Sequence, residues 1–587
     1  MKKYSKIILA SILMVSALAV KAQPQGEYNE NVTVNVSFDP MITDANKINE
    51  NPSIFDTSFT SVDFSFDRLK RGYKTNLTFD TIKAASVKGE PVAQLYKLHL
   101  KGGLGYAHGG KELSSGFIPL LQASYTSLRD RKLMYGVDLY SRSAIAGQKN
   151  YGHNGLTNDD LNLWAKRIFN SYSVYARGYY NLSRNYWYGD TALANESIDK
   201  KDYRATWHNF GLDLGYKKLE RDNTFQHNAD FSINYTSSKL GTHELDLHAL
   251  LNAYKDLNLF SKASNEILGL TFDYKHSFYK FKGINDWDYT NHAFFFPDEE
   301  YNNNRALFNI SPYFIFDYNK FHFFASLGFV PSINGEESFQ ALPTATVSFE
   351  LIQQILSFYG GIKSESVMPT LHQMLLENPF LAPNLKLKDE SNTTFFAKAF
   401  LNASNKFSLS LEGGMQSLRN HHFYLSAMMP WNNMIVIYDN AKRYYATLES
   451  SFSIANAFFA NISATYQKLD RDAAKEPWYN PNWIVKAKMT YKYQDLFEIA
   501  LTPAFYSKCT GAFMSYAPGA DINKVPTTLK EKELKPVVDV NLSATYHYTD
   551  RWSFFINLEN MGFQQYQMYY NYPVYQFSVI GGACYKF

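Results

Sequence analysis

Glu244, Asp246 and His248 are residue types that bind metal ions, spaced two apart. On a strand they would share one face, with successive members ~6.6 Å apart, twice the rise per residue. Two carboxylates and an imidazole suit a cation, but one strand alone rarely supplies a closed site. Polar side chains facing water are the preferred reading. Lys486, Lys488 and Lys492 form a basic ladder on a strand face, able to attract an anionic solute or to pair with carboxylates on neighbouring strands. Asp539, Asn541 and His547 share a second polar face. His421 and His422 fall in what reads as a long loop, with the same choice between metal ligand and ordinary polar residue. The chain carries no phosphate-binding loop, dinucleotide fingerprint, nucleophile elbow or HExxH helix. No Ser/His/Asp set is brought together by spacing. An enzyme is not expected, and no cofactor or metal.

The elements that would hold these residues alternate with period two. Val538, Val540, Leu542, Ala544, Tyr546 and Tyr548 take one face of a segment, and Asp539, Asn541, Ser543, Thr545 and His547 the other. Trp483, Val485, Ala487, Met489 and Tyr491 likewise oppose the lysine ladder. Read this way from Tyr96 onward, the chain holds twenty-two strands, beginning with 96–107 and 116–128 and ending with 551–562 and 573–587. The gaps between them alternate. Arg129-Asp130, Asn319, Asp495 and Asp550 mark tight turns, while 183–202, 281–304, 367–390, 419–439 and 510–534 are long. One place departs from the rule: 239–242 is short where a long loop is due, and 256–264 exceeds a turn. Short turns at one end and long loops at the other, with an even strand count, describe a transmembrane antiparallel up-and-down β-barrel. Soluble sandwiches would bury apolar faces against each other and need no such alternation. A closed barrel also satisfies every backbone group in lipid.

The front of the chain addresses it to that membrane. Lys2, Lys3 and Lys6 precede an apolar stretch from Ile7 to Val20, and Ala22 offers a small residue at a cleavage point. Residues 1–22 read as a secretory signal peptide. Removing Lys2, Lys3, Lys6 and Lys21 leaves 54 basic against 55 acidic residues, which excludes a polycationic nucleic-acid binder. Aromatic residues are 17% of the chain, too many for intrinsic disorder. Beyond the signal no apolar run approaches the ~20 residues of a membrane helix. Trp187, Trp287, Trp431 and Trp478 fall in long loops; Trp164, Trp207 and Trp483 near long-loop ends of strands; Trp552 near a short-turn end. Rings at strand ends suit the membrane interface. The loop rings Tyr186-Trp187-Tyr188 and Trp478-Tyr479 could instead stack on a ligand such as a glycan.

Twenty-two strands with long outer loops resembles the barrel of the TonB-dependent receptors. The closing stretch FFINLENMGFQQYQMYYNYPVYQFSVIGGACYKF (554–587) resembles the family's last pair of strands, and NPFLAP (378–383) a loop of that barrel. Tyr585 and Phe587 end an alternating strand on an aromatic, similar to the signal read by the barrel assembly machinery. Both ends of the barrel, 96–587, would then lie on the periplasmic side, with long loops extracellular. The departure is at the front: family members carry a folded plug, whereas 23–95 offers two short alternating runs around a polar stretch. Glu30 to Val34 faintly resembles the TonB-contacting box. Residues 23–95 are therefore expected to be a periplasmic arm or partial lumen filler. Asp80-Thr81-Ile82 and Asp190-Thr191-Ala192 resemble bacterial O-glycosylation acceptors, a tripeptide common by chance. The expected role is a scaffold subunit of a complex in the cell outer membrane, or alternatively a TonB-dependent transporter or channel for nutrient uptake. The expected partners are outer-membrane lipid, the barrel assembly machinery, and other outer-membrane or periplasmic proteins met through 23–95 and the extracellular loops.

Overall fold

Alternation puts Leu100, Leu104 and Tyr106 on one face of Leu98–His108, and Phe117, Leu121 and Tyr125 on the matching face of Gly116–Thr126; all six are exposed. A strand with a bare apolar face and a polar back is stable as part of a wall between lipid and water. The computed structural model describes residues 96–587 except 128–131, 190–198, 202, 220–224, 258, 283–299, 428–431, 455–456, 474–475 and 516–527. The signal peptide, the arm 23–95, the turn Arg129-Asp130, Trp287, Trp431 and both Asp-Thr tripeptides lie outside the described residues.

Each wall strand pairs antiparallel with the one before it and the one after it, and the ring closes where Leu98–His108 meets Phe577–Lys586. Closure runs from His99 opposite Lys586 to His108 opposite Phe577. The backbone N–H groups of Lys97 and Leu98 both donate to the Phe587 carbonyl, at 2.6 and 2.9 Å. The result is the expected closed 22-strand barrel. Wall strands run from 8 residues (Trp552–Glu559) to 21 (Met434–Ile454). About ten residues suffice to cross a bilayer, so the longest strands project beyond it.

That projection corrects several boundaries. Phe407–Ser426 and Met434–Ile454 consume most of 419–439, leaving 427–433 as the connection. His421 and His422 are therefore on a strand, not in a loop. The strand Leu156–Ile168 begins earlier than 160, and Phe339–Ile352 earlier than 344. The short crossing between Gln226–Ser238 and Thr242–Leu257 stands as read. Within 507–536, Cys509–Ser515 and Thr528–Leu534 form a hairpin outside the ring, so Phe497–Tyr506 pairs directly with Val537–His547. At the tight turns the chemistry is local: Asn319 takes φ 54° between Tyr318 and Phe321, a conformation asparagine tolerates.

Candidate functional site

One end of the ring carries the shorter connections, such as 319–320 and 494–496. At the other, residues 368–389 fold inward between Leu356–Val367 and Glu390–Ser404. The first turn of this segment is set by sequence. Thr370 caps a seven-residue helix, Leu371–Glu377, in a capping box: Gln373 N–H donates to Thr370 Oγ1 at 3.3 Å, and Thr370 N–H to Gln373 Oε1 at 3.2 Å. Leu371 and Met374, three apart, are its buried face. At its start Leu371 N–H donates to Glu244 Oε2 at 2.5 Å, and Ser277 Oγ–H donates to Glu244 Oε1 at 2.9 Å.

From there the segment reaches around the ring. Thr242 Oγ1–H and Tyr279 O–H both donate to the Pro383 carbonyl at 2.7 Å. Asn303 Nδ2–H donates to Leu387 O at 2.9 Å. Asn209 Nδ2 lies 3.4 Å from His372 Nε2. Met434 N–H donates to Phe380 O, and Ala382 N–H to Met434 O. Phe380 stacks on Tyr572 with centroids 3.7 Å apart, and Tyr569 O–H donates to Glu377 O at 2.9 Å. A segment that touches strands on several sides of a closed ring, and the hairpin before its last strand, crosses the interior. Its Leu371, Met374 and Leu381 join Trp187, Tyr203, Trp207, Tyr279 and Tyr572 in the largest buried cluster in the described residues.

Two polar anchors hold the segment. Arg305 is buried on the wall strand Tyr301–Tyr318; Nη1 lies 2.8 Å from Asp389 Oδ1, and Nη2–H donates to Pro369 O at 2.8 Å. One guanidinium thus ties both ends of 368–389 to the same strand. Burial lifts the Asp389 carboxyl above its ordinary range, against the pull of Arg305. The second anchor joins Glu377 and Glu390 to His421 and His422. His422 has Nδ1 2.5 Å from Glu390 Oε1 and Nε2 2.8 Å from Glu377 Oε2; His421 Nδ1 is 3.0 Å from Glu390 Oε2. Tyr424 O–H donates to Glu377 Oε2 at 2.7 Å. Burial pushes Glu377 up, but the hydrogen bonds and charge of His422 outweigh it and leave the carboxyl below its ordinary range. His372, buried in the helix, is pushed down to about 4.

The residues singled out in the sequence are scattered by the fold. Glu244 caps the helix, Asp246 is buried, and His248 Nε2 turns to Asp273 at 2.7 Å, so the three do not form a ligand set. Lys492 Nζ lies 3.4 Å from Glu498, Lys486 Nζ stands 6.0 Å from the Tyr506 ring centre, and Lys488 is opposite Asn461. Asn541 Nδ2–H donates to Asp539 at 3.0 Å, while His547 is opposite Ser553 at the short-turn end. Trp483 and Trp552 are half exposed, beside Tyr466 and Tyr585. Two of the interface rings are corrected. Trp207 is 3% exposed, inside the mouth cluster, because its strand end is covered by the incoming segment. Leu163 takes the lipid face, which turns Trp164 inward over Gly136 and nearer Ile168, the short-turn end. Trp187 and Trp478 are also buried, so neither loop ring is free to stack on a glycan. Tyr585 and Phe587 lie at the seam. Arg305, Glu377, Asp389 and Glu390 were not read from the sequence; their partners lie far along the chain.

No known protein family and no curated protein matches the sequence. Solved structures do. The siderophore receptor PirA from Acinetobacter baumannii is 11% identical, with TM-score 0.61 over 84% of this chain and 81% of that one. The FrpB iron transporter from Neisseria meningitidis is 13% identical, with TM-score 0.59 over 84% and 82%. A mutant of the ferric enterobactin receptor PfeA from Pseudomonas aeruginosa is 11% identical, with TM-score 0.58 over 84% and 81%. The wall is a receptor-like barrel. A closed ring of this size with an apolar outer face belongs in the cell outer membrane.

Proposed function

We propose that this chain is a non-enzymatic outer-membrane uptake protein, of the kind that admits a metal chelate through a large barrel. The observation that supports this is the wall itself, which aligns over four-fifths of a siderophore receptor and of an iron transporter. This reading replaces the scaffold role first expected from the sequence, which the receptors and the transporter named above do not support. In it, Lys486, Lys488, Lys492, Asp539, Asn541 and His547 line the aqueous lumen, Trp483 and Trp552 sit at the membrane interfaces, and Tyr585 and Phe587 serve insertion by the assembly machinery. Residues 23–95 act on the periplasmic side as the contact for a partner or as a partial filler.

The segment 368–389 gives the proposal its mechanism. Passage requires a state in which this crossing element has moved, so ligand must favour that state over the closed one. A deletion strain grown under iron limitation, supplied with radioactive iron as ferric siderophores, should accumulate less iron than the complemented strain. Equal accumulation, together with purification of the native protein in stoichiometric complexes, would return the scaffold to first place. A mouth crossed by the chain's own loop is the one feature that favours that second reading.

A further inference from the structure

The Glu390, His421 and His422 cluster uses none of the residues that the uptake reading needs, and its geometry asks for a cation. One ligand atom from each of the three falls within 4.8 Å of the others. Ligands on a tetrahedral zinc ion stand about 3.3 Å apart, given bonds of ~2.0–2.2 Å; the Glu390 oxygens lie 3.0 Å from His421 Nδ1 and 2.5 Å from His422 Nδ1. Small side-chain shifts would therefore bring all three around one ion.

Consecutive residues on a regular strand point to opposite faces, so two adjacent histidines should not reach one carboxylate. Both still reach Glu390, because they follow directly on the end of the pairing between Glu390–Ser404 and Phe407–Ser426, at Ser391 opposite Arg419. The register with Met434–Ile454 slips between Leu418 and His421, and Asn420 takes φ 51°. Bulges re-aim side chains and are over-represented beside functional sites. The two rings stand 4.9 Å apart between centroids, tilted at 49°.

The charges of the cluster accommodate such an ion. His422 places a carboxylate at each ring nitrogen, yet a neutral imidazole has only one N–H. Either the ring is an imidazolium, or a cation stands between Nδ1 and Glu390. In the second arrangement Nε2–H donates to Glu377, whose second hydrogen bond comes from Tyr424. A carboxylate holding the far nitrogen of a ligating histidine is the usual outer support of a zinc site. One divalent ion would also balance the charges of Glu377 and Glu390.

We propose that Glu390, His421 and His422, on two adjacent wall strands, bind a divalent transition-metal ion of the Zn2+ class, and that Glu377 of the crossing segment supports His422 from behind. Water takes the fourth position. On binding, the metal displaces any proton on His421 and His422 Nδ1 to solvent.

The test uses tag-free full-length protein in detergent, stripped with chelator and titrated with Zn2+ alone by calorimetry. Bound metal is counted by mass spectrometry after gel filtration. The wild type should hold one Zn2+ per chain. His421→Ala and Glu390→Gln should each weaken binding at least 30-fold, and Glu377→Gln by about 10- to 100-fold, the usual effect of an outer-shell partner. His372→Ala, on the same segment, should bind as the wild type does. Unboiled gels report whether each variant is still a folded barrel, and His421→Ala, at the edge of the cluster, carries the test if Glu390→Gln is not. A wild type that retains no Zn2+ overturns the proposal, as does a folded His421→Ala that binds as tightly as the wild type.

Discussion

Arg305→Met tests whether the crossing segment is held from its ends. Arg305 and Asp389 side chains are 1% and 4% exposed, and the same guanidinium also serves Pro369 O. Removing one partner of a buried ion pair costs ~3–5 kcal/mol, because the other charge is left without compensation. The loss should fall on local opening of 368–389 rather than on the ring, whose strand pairing Arg305 does not carry through its side chain. At ~1.4 kcal/mol per tenfold, opening should become about 100- to 4,000-fold more frequent. The assay is amide hydrogen exchange in detergent, read on peptides covering Leu371–Glu377 and on peptides from Phe407–Ser426 as reference. The variant should lose protection in the first set and keep it in the lower half of the second. Arg305→Met combined with Asp389→Leu should regain most of the loss, since apolar replacement of both partners is often neutral. Unchanged protection in the single variant, or a double variant as open as the single, would refute the anchoring argument.

At the seam, a Cβ on Gly582 would meet the Gly102 carbonyl and come within 2.6 Å of Gly103 Cα, whereas Gly102 has open space. Gly582→Ala should lower the temperature at which the fast-migrating folded band is lost, at a cost of ~1–3 kcal/mol, and Gly102→Ala should not; equal behaviour would count against the seam geometry. His372 is pushed by burial from 6.5 down to about 4, so the unfolded segment binds the proton more readily. Its contribution is complete above pH 6.5, falls as pH drops toward 4, and is at most ~3 kcal/mol. Protection of Leu371–Glu377 should therefore weaken between pH 6.5 and 4 in the wild type more than in His372→Gln, and parallel curves would contradict this. Cys509, at the start of the outer hairpin, and Cys584, beside the short-turn end, are both free. Non-reducing mass spectrometry of the monomer should find no Cys509–Cys584 peptide; finding one would mean the strand order is wrong.

Alternation along 483–493 and 537–547, and tight turns such as Asn319, are short-range facts, and short-range facts build the wall. Each strand needs only its own two-residue period to know which face meets lipid, and each turn only its own few residues. The sequence by itself thus determined the barrel, the number of its strands and the end at which it closes on Phe587. It misplaced strand ends such as Ser426, because a strand beyond the bilayer no longer needs an apolar face. It misread Trp164 and Trp207, because a ring at a strand end can turn to lipid or be covered from within. The mouth was decided by tertiary structure alone. Glu244 meets Leu371 across 127 residues and Tyr569 meets Glu377 across 192. No local pattern records such meetings; they exist only because a closed ring brings distant strands to face a common interior. The pairing of His421 and His422 on Glu390 needed one thing more, a strand that runs on past the end of its pairing with Glu390–Ser404.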